Sequence, residues 1–196
     1  MSYPSFPVVP AGSLNVAINA GAGNVIVGSD GLTLQEDNRT SGTGYFRTFL
    51  VLPDEMATSR FAVTVTVGAL SVSASDRAVG GGCTNAAGTK AIFVMVPQAS
   101  GFASIRTWDG TTLTNRVTVT AVAVPGDKIT IQPSVSSGVV TWTALKNGTP
   151  IAGLAWSDST HVLDLPGTRP APYFTHAYSF GDFHTRGIAA LSAVLV

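Results

Sequence analysis

Apolar residues in this chain recur at every second position. In Phe61-Ala62-Val63-Thr64-Val65-Thr66-Val67 the large apolar side chains fall on one side, with Ala62, Thr64 and Thr66 on the other, the pattern of a half-buried β-strand. The alternation returns in Leu14, Val16 and Ile18, in Val117 to Val124, and in Ile129 and Ile131. Ala91 to Val96 is apolar on both faces and predicts a central strand. Between these runs stand Ser29-Asp30-Gly31, Gly80-Gly81-Gly82, Asp109-Gly110 and Pro125-Gly126-Asp127, each read as a turn. About a dozen short strands separated in this way describe a sandwich or barrel, and no segment sustains a helical period. Val and Thr, abundant here, fit a pleated surface better than a helix.

The expected fold is therefore all-β, a sandwich or barrel formed as a single domain over residues 12–196. Residues 1–11, with prolines at 4, 7 and 10, read as an extended arm whose low flexibility suits docking on another subunit. The chain of 196 residues is long enough for one large sandwich core.

Charge narrows the function classes. Only 11% of the residues are charged, where about 25% is usual, and eleven basic residues cancel eleven acidic ones. With no Lys/Arg cluster to follow a phosphate backbone, nucleic acid is not an expected partner. The mean hydropathy of +0.32 is high. Yet Ile188 to Val196, the longest apolar run, is too short to span a bilayer, which takes about 20 residues. The excess is read as surface buried in an assembly. The first residues lack the basic and apolar regions of a secretory signal.

Catalytic patterns are sparse. Glycoside hydrolysis needs two carboxylates about 5–9 Å apart, hence acidic residues spaced along one strand face. Glu36 and Glu55 each adjoin an Asp instead, and no such spacing occurs. The lone Cys83 excludes an internal disulfide and has no His near it in sequence, so it reads as structural. His176, Asp182 and His184 match no compact ligand motif; neither a metal nor any other cofactor is expected. The aromatic segment that contains them is the candidate recognition site, for glycan or for a protein partner: Tyr173, Phe174, His176, Tyr178, Phe183 and His184. The competing reading sends half of its rings into the core.

The stretch Gly138 to Gly153 reads as a hairpin reversing at Asn147-Gly148, a pair suited to the positive φ angles of a type I′ turn. From Gly126 onward, Gly-Asp-Lys-Ile-Thr-Ile-Gln, then Leu145-Lys146-Asn147-Gly148, Trp156-Ser157-Asp158-Ser159 and Leu165-Pro166-Gly167-Thr168-Arg169-Pro170 resemble the second half of a laminin-G-like, concanavalin A-like sandwich. In its low charge and proline-rich start the chain is similar to the minor tail proteins of phages that infect actinobacteria. Some sandwiches of this kind bind sugars or calcium through clustered acidic residues in rim loops. Here Asp127, Asp158 and Asp164 fall near such loops without clustering. The resemblance implies a two-sheet antiparallel β-sandwich, jelly-roll and concanavalin A-like, and a non-enzymatic virion structural protein, made in the host cytoplasm, whose partners are other virion proteins and copies of itself. The alternative is a carbohydrate-binding adhesin that contacts glycans of the host envelope, without membrane insertion.

Overall fold

The computed structural model describes residues 1–18, 24–36, 44–56, 58, 60–69, 77–98, 101–159, 168–178 and 187–196, with the backbone alone at 36, 44–46, 77 and 176–178. Among the described residues there is no helix, and fifteen strands form two antiparallel sheets. The eight-stranded sheet runs β13 (Thr149–Asp158), β12 (Val139–Lys146), β11 (Lys128–Ser136), β6 (Phe61–Val67), β15 (Ile188–Leu195), β4 (Leu34–Glu36) and β3 (Val25–Val27), with β1 (Ser2–Tyr3) also paired to β15. The seven-stranded sheet runs β10 (Leu113–Thr120), β9 (Phe102–Trp108), β8 (Ala91–Pro97), β7 (Arg77–Thr84), β14 (Arg169–Tyr178), β5 (Gly44–Val51) and β2 (Leu14–Ala17).

Period-two patterning places the core between the sheets. Phe61, Val63, Val65 and Val67 of β6 are buried there while Ala62, Thr64 and Thr66 are only partly covered. They meet Val79 and Cys83 of β7, Ile92, Val94 and Val96 of β8, Ile105 of β9 and Phe174 of β14. Every residue of β8 is buried, as its unbroken apolar run predicts. Its other face belongs to a second cluster, on the outer side of the seven-stranded sheet, built from Phe49, Val51, Ala78, Phe93, Met95, Trp108, Ala171 and Tyr173.

Gly80-Gly81-Gly82 corrects one expectation: it is no turn but the middle of β7, the central strand of its sheet. A Cβ on Gly80 would lie 1.8 Å from the Val94 carbonyl oxygen, and one on Gly82 1.8 Å from that of Ile92. Glycine is required because the backbone of β8 comes that close.

The β12–β13 hairpin turns as its residues predict, with φ of 52° at Asn147 and 80° at Gly148. Its turn is tied to the start of β11. Lys146 Nζ lies 2.9 Å from Asp127 Oδ2, and Asn147 Nδ2 donates to Asp127 Oδ1 at 2.8 Å. The Lys128 N–H in turn donates to Asn147 Oδ1 at 2.8 Å. The Gly-Asp and Lys-Asn-Gly motifs, about twenty residues apart in sequence, are thus two halves of one hydrogen-bonded junction.

The first residues lie on their own sandwich. Ser2 and Tyr3 pair with Ser192 and Leu191, and Phe6, 1% exposed, enters the core between the sheets. The Phe6 N–H donates to the Leu32 carbonyl at 2.8 Å, and the Tyr3 hydroxyl donates to the Asp54 carboxylate.

Candidate functional site

The predicted recognition segment divides. Residues 173–178 are not loop but the second half of β14, which pairs with β7 on one side and β5 on the other. Phe174 faces the eight-stranded sheet and is fully buried, so it is core and cannot meet a ligand. Tyr173 faces outward, but its ring is also fully buried, stacked on Phe93 with centroids 4.8 Å apart. Phe93 in turn packs on Phe49 at 4.9 Å. The strand backbone includes His176 and Tyr178, whose side chains lie outside the described residues, as do Phe183 and His184.

What Tyr173 offers the outer face is its hydroxyl. Arg106 of β9 reaches toward β14, and its Nη1 donates to the Tyr173 hydroxyl at 3.3 Å. The register explains the reach: Tyr173 lies opposite Gly80, and Gly80 opposite Met95, so no side chain on β7 stands in the way. Arg106 Nε donates to Ser104 Oγ at 2.8 Å on the same strand. The guanidinium is only partly buried, while Ser104 beneath it is 1% exposed. Two hydroxyls therefore fix the plane of the guanidinium, which strengthens its value as a directed donor.

Phe102 completes the row. On β9, Phe102, Ser104, Arg106 and Trp108 alternate with the inward Ala103 and Ile105, so all four share the outer face. Trp108 is buried in the outer cluster, but Phe102 is 63% exposed. Beside the row runs edge strand β10, where Asn115 pairs with Arg106, Thr118 with Ser104 and Thr120 with Phe102. These three are exposed. A bulge between Asn115 and Val117 lets Arg116 turn away from this face. Its Nε donates to Thr107 Oγ1 at 2.8 Å, and its guanidinium covers the Trp156 ring at 5.1 Å. At the end of the hairpin the Asp109 carboxylate accepts from the Thr112 and Thr111 N–H groups and the Thr111 hydroxyl, which hold it below the usual carboxylate range.

The result is an open strip about 13 Å long from Phe102 to Arg106, given about 3.3 Å per strand residue, with one aromatic face, one oriented cation and a border of hydroxyls and an amide. Chemically it can stack on an apolar ring face and hydrogen-bond to polar groups around that ring. Sequence reasoning passed over it. The signal was present in Phe102-Ala103-Ser104-Ile105-Arg106, a strand whose alternate positions are aromatic, hydroxyl and cation.

Other sequence candidates fall away from this face. Cys83 is fully buried against the core, and burial pushes its thiol far above its ordinary range. Asp127 is committed to Lys146, Asn147 and the Val124 N–H, and Asp158 is 2% exposed at the far end of β13. Asp164 lies outside the described residues. Among the described residues no group of three His, Cys, Asp or Glu side chains comes together, and no helix is long and apolar enough to cross a membrane.

No protein-family model matches the chain, and no curated protein matches it in sequence. Solved structures do resemble it. The carbohydrate recognition domain of Emp47p superposes with a TM-score of 0.57 at 10% identity, over 98% of this chain and 93% of that one. Endo-1,3-beta-glucanase from Streptomyces sioyaensis gives 0.55 at 10% identity, over 98% and 94%. Lectin II from Ulex europaeus gives 0.53 at 13% identity, over 100% and 99%. Likeness at such identities defines architecture: the chain is a lectin-like, concanavalin A-like β-sandwich.

Proposed function

We propose that this protein is a non-catalytic carbohydrate-binding module that holds its glycan on the outer face of the seven-stranded sheet, along β9 and β10. The observation that carries the reading is the exposed Phe102 ring set in line with Arg106 and bordered by Asn115, Thr118 and Thr120. An aromatic face takes the C–H side of a sugar ring, and a few fixed polar groups then select its hydroxyls. None of the seven strands of this sheet contains Asp or Glu. They therefore supply neither carboxylate of the pair that glycoside hydrolysis uses, which supports binding without cleavage. Similar folds that carry carbohydrate recognition domains and lectins lend the same support.

The test is a binding titration against a panel of immobilised oligosaccharides with the native chain and Phe102→Ala. The expected result is retention on at least one glycan, weakened about tenfold by Phe102→Ala with the melting temperature unchanged, since the ring is largely solvent-exposed. Native chain that binds no glycan, or a variant that binds equally well, sinks this reading.

A second reading, a phage virion protein that assembles with copies of itself, draws on another surface. Val194, Leu195 and Val196 are 61%, 57% and 63% exposed at the end of β15, an apolar run suited to burial against a neighbour. Sedimentation would separate the two: a chain that stays monomeric at high concentration has no use for that run in self-assembly.

A further inference from the structure

Among the described residues, Arg106 is a cation without a counter-ion. Of the five N–H donors of its guanidinium, two are engaged, by Ser104 Oγ at 2.8 Å and the Tyr173 hydroxyl at 3.3 Å. Both acceptors are neutral, and among the described residues no carboxylate pairs with it. Its surroundings share the imbalance. The strands of the seven-stranded sheet carry Arg47, Arg77, Arg106, Arg116 and Arg169, five of the chain's eleven basic residues, and none of its eleven acidic ones. Arg169 is drawn off by Glu55 at 3.9 Å and Arg116 by the Trp156 ring. Arg47 lies opposite Thr175, in register with the outward positions of β5. Arg106 thus stands in a sheet whose strands bring no carboxylate of their own.

Two hydroxyls hold the guanidinium, the side chain is only partly buried, and a partly buried cation gains most from a ligand that brings negative charge. The planar guanidinium fork matches a carboxylate in two parallel hydrogen bonds. From this geometry we infer that the glycan taken by the β9–β10 strip is acidic: a uronic-acid-type oligosaccharide, one ring of which stacks on Phe102 while the carboxylate of a residue further along the chain is received by Arg106. The inference rests on the carbohydrate-binding reading and adds the ligand's charge to it. Asn115, paired with Arg106 on β10, is placed to bond hydroxyls adjacent to that carboxylate.

The experiment compares oligogalacturonate with its methyl ester, which keeps the sugar and removes the charge, and with a neutral β-glucan oligosaccharide, by calorimetric titration at two salt concentrations. The expected result is oligogalacturonate bound at least tenfold more tightly than its ester, with the advantage shrinking at high salt. Arg106→Gln should bring the acid down to the level of the ester, and Arg106→Lys should recover part of the difference, since it keeps charge and loses the fork. The comparison of acid with ester uses native protein and so stands even if a variant fails to fold. Equal binding of acid and ester overturns the acidic preference and leaves the carbohydrate reading in place. Failure of all three saccharides to bind overturns both. Dextran sulfate bound as tightly as oligogalacturonate, with Arg106→Gln indifferent to either, shows generic polyanion attraction and overturns the assignment to Arg106.

Discussion

A single methyl group is too large for position 80 or 82. The clash there is with a carbonyl oxygen of the neighbouring strand, at 1.8 Å, and backbone at the centre of a sheet cannot step aside without breaking its ladder. At position 81 the nearest atom is instead the Val65 Cγ1, 2.7 Å away, a side chain that can rotate. The three glycines therefore differ in what substitution costs. Gly80→Ala and Gly82→Ala are each expected to destabilise by about 4 kcal/mol or more, enough to unfold many domains, while Gly81→Ala costs about 1–3 kcal/mol. Urea unfolding of the three variants checks the order; a Gly81→Ala loss as large as the other two would mean that the sheets, rather than the strands, are the tighter contact. Glycine at 80 and 82 also clears the path by which Arg106 meets Tyr173, so these residues join the stability of the sheet to the geometry of the site.

The junction between β11 and the β12–β13 hairpin carries a measurable pH signature. Burial alone would raise the Asp127 carboxyl, but hydrogen bonds from Lys146, the Val124 N–H and Asn147, with the charge of Lys146, outweigh it and hold the group below its ordinary value near 3.8. A carboxyl depressed in the folded state contributes its stabilisation fully above that ordinary value and loses it as pH falls through the lower folded one. Asp127→Asn should accordingly cost about 1–2 kcal/mol at neutral pH and much less once the native carboxyl is protonated. Stability measured from pH 6 down to pH 2.5 should fall less steeply in the variant. The slope will lessen without vanishing, because Asp30 and Asp109 are held low by their own turns. Parallel acid limbs in the two proteins would show that Asp127 contributes nothing through its charge. This junction was half legible in sequence: turn chemistry at Asn147-Gly148 is local, whereas the partner that makes Asp127 matter arrives from another strand. The same divide separates β6 and β8, read from their own periodicity, from β7, whose glycines answer to the backbone of β8. Strand β14 carries Pro170 and Pro172, residues that strand patterning disfavours. Both precede the ladder with β5, which begins at Tyr173, and Pro170 turns its carbonyl to that side, where it accepts from the Leu52 N–H at 3.1 Å, so its absent N–H breaks no rung to β7. The candidate strip on β9 escaped notice for a related reason: alternation shows that Phe102 and Arg106 share a face, but only the stacking of the sheets shows that this face is the outer one.

At the scale of the molecule, the arrangement of the two apolar clusters decides how the chain unfolds. They lie on opposite faces of the seven-stranded sheet and share β8, whose Ile92, Val94 and Val96 serve the inner cluster and Phe93 and Met95 the outer. Neither can open without exposing the other side of the same strand, so a single cooperative transition is expected. The N-terminal residues belong to that unit through Phe6, which is buried against the inner cluster and held by the Leu32 carbonyl, while Met1 donates to the Ala193 carbonyl at 2.9 Å. An arm that only bridged subunits would leave the isolated chain indifferent to its sequence. Phe6 instead predicts that Phe6→Ala lowers stability by about 3–5 kcal/mol, the usual cost of deleting a buried aromatic side chain. Urea denaturation followed by tryptophan fluorescence and by circular dichroism tests both points at once, because Trp108 sits in the outer cluster and Trp142 in the inner. Coincident curves, shifted together by Phe6→Ala, are the expected outcome. A variant as stable as the native chain would detach the arm from the sandwich and return it to the role of a bridge between subunits, whereas separated curves would mean that the outer cluster, and the candidate strip beside it, can melt while the core between the sheets survives.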